Sequence, residues 1–505
     1  MRQLFARVNV DKQSADVGLR RVLGKWDLTA LGVGAIIGAG IFASTGSAIA
    51  GGADHIGAGP AIVLSFVITA IACGFAALCY AEFAAMVPVA GSAYTYAYAA
   101  LGEIVAWIIG WDLIIEYAIG NVAVAVSWSG YFCELLKMFG IHIPTWLQTD
   151  YRSAYQAIDK IAAGDAAPAL QAVAAAVHDA PRIAGLPIIF NLPAVAIVIV
   201  ITWILVRGVK ESARSNLIMV ILKLAIIVAF LVVGAFYIKP ENYTAHGGFA
   251  PNGFSGIGSA AAIIFFAYIG FDAVSTASEE AKDAKRDMPF GIIVSLILCT
   301  VLYIFVALVL TGVVPWKEVG TAEPMLTALE RVGSGGFVLS AARLFVALGA
   351  VIAMSSVLLV FQLGQPRIFF SMARDGLLPP WAAKVHPKYG TPHVTTIITG
   401  VLVAVPSAFM NIDEAVQLTN IGTLFAFVLV AIGVIVLRVR EPNRPRPFRV
   451  PGSPITPLLA VVSCGFLMTQ LPIETWIRFF IWLAIGIVIY FLYSYGHSKL
   501  RNPSK

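Results

Sequence analysis

The sequence predicts an all-α membrane protein with twelve transmembrane helices, and three observations support this. Of its 505 residues, 59% are hydrophobic and only 12% are charged, with a mean hydropathy of +0.85, whereas an ordinary soluble domain carries about 25% charged residues. Apolar runs long enough to cross a hydrocarbon layer of ~30 Å recur along the whole chain. These runs lack the two-residue alternation of barrel strands, and a backbone in lipid must satisfy its own hydrogen bonds, so we expect helices.

The spans follow one another in chain order, mostly with short polar loops between them. We place them at 28–50, 60–87, 102–136, 189–207, 214–237, 259–280, 288–313, 338–370, 394–411, 417–437, 455–471 and 476–495. Segments on the side of the two termini hold 23 Lys and Arg residues, and those on the other side hold 7. The positive-inside rule therefore predicts a multi-pass protein of the cytoplasmic (plasma) membrane with both termini cytoplasmic. The net charge of +6 then requires no nucleic acid partner.

Four segments lie outside the spans. Residues 1–27 form a cytoplasmic N-terminal segment without the pattern of a cleaved signal peptide, and residues 496–505 form a cytoplasmic tail. The loop at 137–188 is expected to be extracytoplasmic, with an alanine-rich stretch that forms a surface helix; we favour a spacer over a regulatory cap. The Pro- and Arg-rich loop at 438–454 is expected to anchor at anionic headgroups of the membrane lipid.

No pattern of catalytic or metal-binding residues is present in the sequence. The five cysteines lie inside or at the edge of apolar runs, and the seven histidines lie in or beside loops without the spacing of a zinc site. We find no phosphate-binding loop and no nucleophile with a neighbouring base. We therefore expect a protein that is not an enzyme and that holds no metal and no organic cofactor.

Spans 1 and 6 are interrupted by glycine. Span 1 contains four glycines within "LGVGAIIGAGIFAST" at 31–45, and span 6 contains Gly270 and Asp272 within "FFAYIGFDAVSTASEE" at 265–280. Each glycine lowers helix stability by about 1 kcal/mol relative to alanine. Interrupted helices at matching positions of two five-helix halves are typical of secondary transporters built from inverted repeats.

Broken helices predict a binding chemistry. The amides of an unwound span 1 attract a carboxylate, and carbonyls freed in span 6 accept hydrogen bonds from an ammonium group. A zwitterionic amino acid satisfies both. The alternative is that the glycines only allow close packing of helices.

Several ionisable residues lie inside spans, where each costs at least about 2.5 to 3.5 kcal/mol. Lys223 lies roughly 13 Å deep in span 5, too far to reach the interface easily. Glu116 and Asn121 in span 3 and Asp272 in span 6 are expected to face the cavity, where a carboxylate attracts a cation or titrates. The alternative is a protonated or hydrogen-bonded structural acid.

Three further acids lie near the cytoplasmic ends of spans. We expect Glu82 in span 2 to snorkel or to brace a loop. Glu279 and Glu280 end span 6 beside a basic segment, and we expect an ionic latch or a solvated face there.

Six motifs occur in a fixed order along the chain. They are "GAIIGAGIF" at 34–42, "YAEFAAMVPVAGSAYTYAY" at 80–98, "GVKESARSN" at 208–216, "FFAYIGFDAVSTASEEAKDAKRDMP" at 265–289, "RDGLLP" at 374–379 and "NIGTLFAF" at 420–427. Together they resemble the amino acid, polyamine and organocation (APC) superfamily, above all its cationic amino acid transporter branch and the bacterial relatives of that branch. The resemblance covers almost the whole chain and is weakest in the loop after span 3.

The resemblance implies a fold and a site. The fold is a 5+5 inverted-repeat (LeuT-type) core at 28–437, with repeats at about 28–237 and 259–437, and two peripheral helices at 455–495. The implied carboxylate-binding amides are those of Ala39, Gly40 and Ile41, and the implied ammonium-binding carbonyls are those of Ile36, Phe266 and Ile269. The pocket and gate residues are Gly38, Glu116, Asn121, Tyr268, Gly270, Phe271 and Asp272. Of these, Tyr268 and Phe271 either cover the ligand as a lid or pack against neighbouring helices.

The resemblance also places Lys223 where sodium-driven relatives hold a cation, near carbonyls of span 1 and near Ser355 and Ser356 of span 8. A fixed ammonium would replace that ion. Because burial disfavours the charged form of a lysine, this group could lose and regain a proton in each cycle. We therefore expect a sodium-independent carrier with a proton as coupling ion.

The function predicted from these features is secondary active transport of an amino acid by alternating access. A polyamine or organic-cation carrier and an amino acid exchanger are the alternatives within transport, and a nutrient sensor or channel that binds without turnover is the alternative outside it. The sequence leaves open whether the substrate is neutral or cationic, whether transport is uniport, symport or exchange, and what the oligomeric state is.

Overall fold

A computed structural model describes residues 22–52, 54–86, 92–162, 168–208, 213–333 and 336–501. The segment before Val22, the tail after Arg501, and parts of the motifs at 80–98 and 208–216 lie outside the described residues. The described chain is predominantly helical. One small antiparallel sheet pairs β1 (Arg182–Ile183) with β2 (Leu186–Pro187).

Nineteen α-helices follow one another in the described chain. Those of the first half are α1 (Lys25–Ile36), α2 (Thr45–Ala50), α3 (Ile62–Met86), α4 (Ser92–Ala100), α5 (Glu103–Ile114), α6 (Gly120–Met138), α7 (Tyr151–Ala162), α8 (Pro168–Asp179), α9 (Leu192–Arg207) and α10 (Ala213–Ala235). Those of the second half are α11 (Gly253–Ile264), α12 (Ala284–Val313), α13 (Pro324–Arg331), α14 (Gly336–Arg374), α15 (His393–Phe409), α16 (Ile412–Arg440), α17 (Ile455–Thr469), α18 (Ile473–Ile489) and α19 (Tyr495–His497).

Membrane-spanning helices account for most of the bundle. Within the described residues, eight helices are long and apolar enough to cross a membrane, and α1 with α2 forms a ninth span that is bent by 41° at a break. This confirms an integral multi-pass helical protein. The shorter apolar helices α9, α15 and α17 coincide with spans 4, 9 and 11 of the sequence prediction. That these three also cross the membrane stays a prediction.

Packing separates an interior from a lipid-facing surface. Helix α12 packs extensively against α3 and α1, and α14 packs against α6. Large apolar side chains on α10 and α18, such as Ile218, Val232 and Phe480, are instead exposed. An exposed apolar surface on a helix bundle suits hydrocarbon, because lipid tails are as apolar as these side chains.

The bundle has two ends. The continuous 36-residue helix formed by α5, a π turn and α6 runs from Glu103 to Met138 and connects them. We call the end that carries α7, α8 and the small sheet the hairpin end. The end that carries Val22, Glu103 and Arg501 we call the terminal end.

A buried acid organises the terminal end. Glu103 is fully buried and accepts hydrogen bonds from the hydroxyl groups of Tyr98, Tyr490 and Ser498. It also forms an ion pair with Arg501 at 2.9 Å. The last turns of the chain are thereby fastened to the start of α5. Removing a partner from a buried charge is strongly destabilising, so this contact fixes the terminal end.

Glu82 makes a second cluster at the terminal end. It is fully buried at the end of α3 and binds Arg438 through both oxygens, Arg446 at 3.4 Å and the Val450 amide at 2.7 Å. Glu82 therefore braces the loop after α16, one of the two predicted roles. The expectation that this loop anchors at lipid headgroups is wrong for Arg438 and Arg446, because both are directed inward to Glu82.

An ionic latch is one of the two roles predicted for Glu279 and Glu280. The contact that the structure describes at Glu280 is made by its backbone. The amides of Val22 and Leu23 donate to the Glu280 carbonyl at 2.9 and 3.0 Å, and the Lys282 amide donates to the Leu23 carbonyl. The side chain of Glu279 lies outside the described part of the structure. The N-terminal segment is thus joined to the end of the sixth span by a short parallel bridge between Leu23 and Ala281.

Candidate functional site

The first membrane helix is interrupted in its middle. Helix α1 ends at Ile36, and Ile37 has an extended backbone with ψ 101°. A π turn at Gly40–Ser44 then begins the second half of the helix, which continues as α2. Since the first amides of a new helix have no partner in that helix, Ala39, Gly40 and Ile41 present N–H groups at the break.

The sixth membrane helix is also interrupted. Regular α-helix ends at Ile264, and the chain continues as a tight turn at Phe265–Tyr268. Ile269 is extended with ψ 135°, and Gly270 has φ +119°, a conformation that side chains rarely allow. The helix resumes as a 3₁₀ segment at Asp272–Glu280. The irregular stretch therefore begins five residues before Gly270 and frees several carbonyls.

The two breaks lie against each other. A Cβ atom added to Gly40 would lie 2.2 Å from the Cα atom of Ala267, and one added to Gly270 would lie 2.8 Å from the carbonyl carbon of Ala35. Only glycine permits this approach of backbone to backbone. The structure thus brings the residues predicted from span 1 and from span 6 into one place.

The predicted backbone ligands are all in the interior. The side chains of Ala39, Ile41 and Phe266 are buried, as are those of Ile36 and Ile269. The Ile36 carbonyl already accepts a hydrogen bond from Tyr303 at 3.0 Å. A carbonyl oxygen has a second lone pair, so Ile36 retains capacity for one more donor.

Two acids and an amide lie beside the sixth-helix break. Asp272 accepts a hydrogen bond from the Gly270 amide at 3.3 Å, and its carboxyl group interacts with that of Glu116. Glu116 lies in the π turn between α5 and α6, where its carboxyl group interacts with Asp272 and with the Thr423 hydroxyl. Asn121 is fully buried, and neither polar atom of its side chain has a partner. These unpaired atoms are free to bind a ligand.

Lys223 lies deep inside the bundle. Its side chain is 1% exposed, and its ammonium group donates a hydrogen bond of 2.6 Å to the Gly34 carbonyl, one turn before the first-helix break. The hydrogen bonds of Ser355 and Ser356 lead elsewhere: Ser355 donates to the Val351 carbonyl and accepts from Trp128, and Ser356 donates to the Ala353 carbonyl. Lys223 therefore contacts span 1 as expected, while the hydrogen bonds of Ser355 and Ser356 are made with residues other than Lys223.

The aromatic residues at the sixth-helix break are packed. Tyr268 donates to the Phe66 carbonyl at 3.1 Å and packs edge-on against Tyr303. Phe271 packs against Tyr80 and Phe427. Both Tyr268 and Phe271 are fully buried. In this conformation they pack against neighbouring helices, and neither covers an open pocket as a lid.

A cavity of about 1080 Å³ opens at the hairpin end, and sequence reasoning missed its lining. Its walls come from α2, α6, α7, α13 and the start of α16. The loop at 137–188 is thus more than a spacer, since it forms α7, α8 and the small sheet and lines this cavity. The amphipathic pattern of helix α7 is the sequence signal that could have indicated this role, because a helix with one apolar face packs that face against another part of the protein.

Charged groups line the same cavity. Burial and the nearby carboxylates of Glu134 and Glu330 together raise the pKa of Glu323 to about 7, against the opposing effect of Lys137. Lys137 forms an ion pair with Glu134. Outside the lining, Arg152 of α7 binds Glu414 at the start of α16, which also binds Arg478 at 2.7 Å. The cavity lining therefore carries groups of both signs.

Comparison with known proteins gives one family and a consistent set of relatives. The family model described as "Amino acid permease" matches residues 23–493. The chain is 47% identical to the branched-chain amino acid permease BcaP of Bacillus subtilis, over 97% of this chain and 96% of that protein. It is 44% identical to the methylthioribose transporter of Bacillus subtilis, over 97% of each. It is 37% identical to cationic amino acid transporter 4 of Mus musculus, over 86% of this chain and 62% of that protein.

Proposed function

Because this chain belongs to the amino acid permease family, we propose that it carries an amino acid across the cytoplasmic membrane by alternating access. The family and the named relatives make it an amino acid transporter, a class that performs no enzymatic chemistry. The observation that carries the proposed site is the contact between the two helix breaks at Gly40 and Gly270.

The breaks suit the two ends of a zwitterion. The amides of Ala39, Gly40 and Ile41 at the start of a helix favour the substrate carboxylate. The carbonyls of Ile36, Phe266 and Ile269 accept hydrogen bonds from its ammonium group. An amine without a carboxylate would leave the amides unused, and this makes a polyamine the weaker candidate.

The side-chain preference is a choice between two classes of amino acid. The relative that is 47% identical is named for branched-chain amino acids, and we take a neutral apolar side chain as the first candidate. The contact between Glu116 and Asp272 favours a cationic side chain instead, because an ammonium or guanidinium would relieve the repulsion between two buried carboxylates. Methylthioribose, the substrate named for another relative, has neither an amino group nor a carboxylate to fill the two breaks.

We place the hairpin end outside the cell. The loops of the terminal end carry the larger share of Lys and Arg, and the positive-inside rule assigns them to the cytoplasm. The cavity at the hairpin end then opens outward, while the clusters at Glu82 and Glu103 close the cytoplasmic end. We interpret the described conformation as outward-open, with α9, α15 and α17 as full spans of a twelve-helix, inverted-repeat architecture.

Lys223 supports coupling to protons in place of sodium. An ammonium fixed 2.6 Å from a carbonyl of span 1 occupies the place that a coupling cation would need. A group buried to 1% exposure pays heavily for its charge, so protonation can change with the state of the carrier. Sodium then has no site to fill next to Gly34.

The test is transport by purified protein in liposomes. Uptake of radiolabelled leucine is measured in competition with the twenty amino acids, putrescine and methylthioribose, with and without an inward proton gradient and with and without sodium. We expect competition by neutral amino acids, accumulation that follows the pH gradient, and indifference to sodium. Competition by putrescine alone would overturn the choice of substrate class, and sodium dependence without pH dependence would overturn the coupling.

The variant Lys223→Met separates coupling from binding. We expect it to lose accumulation against a gradient while retaining counterflow, the exchange of external label for internal unlabelled leucine at equal pH. The exposed residue Lys239 offers a matched control, and Lys239→Met is expected to keep both activities. A Lys223→Met protein that still concentrates leucine with the pH gradient contradicts the coupling role.

A further inference from the structure

A polar network joins the outer half of the first membrane helix to α16 at the hairpin end. Ser47 of α2 donates a hydrogen bond of 2.6 Å to Asp413 near the start of α16. His55, in the loop after α2, lies 3.0 Å from the Ser47 hydroxyl and 3.2 Å from Asp54. Asp54 in turn accepts from Gln417 at 3.2 Å. Three segments of the chain thus meet at one imidazole.

The hydrogen-bond directions fix the protonation of His55. The Ser47 hydroxyl has one proton and gives it to Asp413, so towards His55 it can only accept. The imidazole Nε2 must therefore carry a proton. The other ring nitrogen, Nδ1, faces a carboxylate oxygen of Asp54, which also only accepts. Both nitrogens are donors, and the ring that satisfies this network is the imidazolium.

The charges around His55 agree with this geometry. Burial lowers the pKa of His55, but the hydrogen bond to Asp54 and the charges of Asp413 and Asp54 outweigh burial and raise the pKa above 6.5. Burial raises the pKa of Asp54, but the interaction with His55 and the hydrogen bonds from Gln417 and the backbone outweigh burial and lower the pKa. Glu414, the next acid on α16, is turned to Arg152 and Arg478 and is already compensated.

The network also borders the open cavity. Ser47, Gly52 and Asp413 line it, and a Cβ atom added to Gly52 would lie 2.2 Å from the His55 ring. The loop therefore holds the ring tightly against the wall of the entry path. Loss of the ring's charge would leave Nε2 or Nδ1 facing an acceptor without a proton between them, and an interaction of that kind is repulsive.

We propose that His55, as an imidazolium, is a positioning residue that fastens the outer half of the first membrane helix to α16 in the outward-open state, so that substrate capture responds to extracytoplasmic pH. The direction of the effect rests on the proposed function and orientation. The histidine contacts the neighbouring protein groups and acts on the substrate through α2.

The pH range follows from the raised pKa. A group whose folded pKa exceeds its unfolded value contributes its full stabilisation below the unfolded pKa and loses it as the pH rises through the folded pKa. The stabilisation by His55 is therefore complete below about pH 6.5 and is lost as the pH rises through the higher pKa of the folded protein. As they are lost, the population of the outward-open state falls, and the KM for external substrate rises.

The experiment uses leucine counterflow in liposomes with the same pH on both sides. No proton gradient is then present, so the pH dependence reports the conformational equilibrium and not the driving force. For the wild type we expect the KM to rise by up to about tenfold between acid and alkaline pH. His55→Gln is expected to show the alkaline KM at every pH. His178→Gln, which alters an exposed histidine of α8 at the same end of the protein, is the matched control and is expected to retain the wild-type profile.

Asp413→Asn distinguishes the proposed role of His55 from a merely structural one, because a structural role would not change the pH at which the KM rises. It keeps an acceptor for Ser47 and removes one charge that favours the imidazolium, so the midpoint of the KM profile is expected to shift to lower pH. An unchanged profile in His55→Gln, or an unchanged midpoint in Asp413→Asn, overturns the proposal while leaving amino acid transport intact.

Failure of the transport proposal has a different signature. If the wild type exchanges no amino acid, thermal denaturation in detergent still tests the network. The denaturation temperature of the wild type is expected to fall above pH 6.5 relative to that of His55→Gln. Parallel curves for the two proteins would overturn the role of His55 independently of any substrate.

Discussion

Single buried residues of this protein hold together segments that are far apart in sequence. Glu82 binds Arg438 in the last turn of α16 and, from the loop that follows, Arg446 and the Val450 amide, all within 3.4 Å. Taking the charges out of water is costly, and the cost is recovered only with good geometry and additional hydrogen bonds, of which the Glu82 carboxylate accepts three. One residue thereby ties the end of α3 to a loop more than 350 positions later.

The variant Glu82→Gln tests this tie. It leaves Arg438 and Arg446 without a buried anion, and we expect a loss of about 3 to 5 kcal/mol, the usual cost of breaking a buried pair. The measurement is the denaturation temperature in detergent, followed by tryptophan fluorescence. Glu441→Gln, which breaks a pair with Arg444 three residues away near the surface, is expected to cost under about 1 kcal/mol. Equal effects of the two variants would contradict the role of Glu82.

At the scale of elements, the two broken helices are the feature on which the site depends. Their contact needs glycine at Gly40 for space and at Gly270 for both space and a positive φ. In the sixth span the break begins at Phe265, before the glycine that marks it in the sequence.

Gly270→Ala is expected to impair both folding and transport. A Cβ atom would meet the Ala35 backbone at 2.8 Å and would impose a strained φ, so we expect counterflow to fall at least tenfold. Gly74→Ala is the matched control, because Gly74 lies in α3 with nothing within 4 Å of the added carbon. This control is expected to transport normally and to be slightly more stable. Normal transport by Gly270→Ala would show that transport does not depend on the break in the sixth span.

The elements themselves could be predicted, because each apolar run is a local signal. The predicted span 3 at 102–136 lies within two residues of the observed helix at Glu103–Met138, and span 11 at 455–471 within two of α17. The π turn at Ile115–Ile119 inside span 3 could not be predicted, since these five residues include no glycine or proline. It depends on how Glu116 packs against α16 and the sixth-helix break.

The candidate site was predictable in part for the same reason. Gly40 and Gly270 are visible in the sequence, and their roles follow from backbone chemistry. Contacts that join distant segments are not visible: Glu82 and Arg438 are 356 positions apart, and Ser47 and Asp413 are 366 apart. No local pattern links such pairs, so the cavity lining, the closure of the terminal end and the surroundings of Ser355 and Ser356 needed the structure.

At the scale of the whole molecule, the two ends differ in openness and in charge. The hairpin end holds the cavity, and the terminal end is closed around Glu82 and Glu103. All five cysteines are buried, so the native chain offers little background to a thiol reagent. The proposed orientation can therefore be tested by adding one cysteine at a time.

Ile183→Cys and Val439→Cys probe the two sides. Ile183 is 67% exposed at the hairpin end, and Val439 is 77% exposed at the terminal end. A membrane-impermeant maleimide added to intact cells is expected to label Ile183→Cys at once and Val439→Cys only after the cells are opened. The reverse pattern would invert the assigned topology, and with it the prediction that His55 senses extracytoplasmic pH.

The cluster at Glu103 has a consequence for the synthesis of the protein. The Ser498 hydroxyl that binds Glu103 is made 395 residues later, and Arg501 later still. At about 5 to 20 residues per second, a ribosome needs roughly 20 to 80 s to cover that distance. During this interval α5 enters the bilayer with an acid that has no cation, and the cytoplasmic end cannot finish assembling until translation has almost ended. A nascent chain stalled before Ser498 should thus remain open at this end, however complete its helices are.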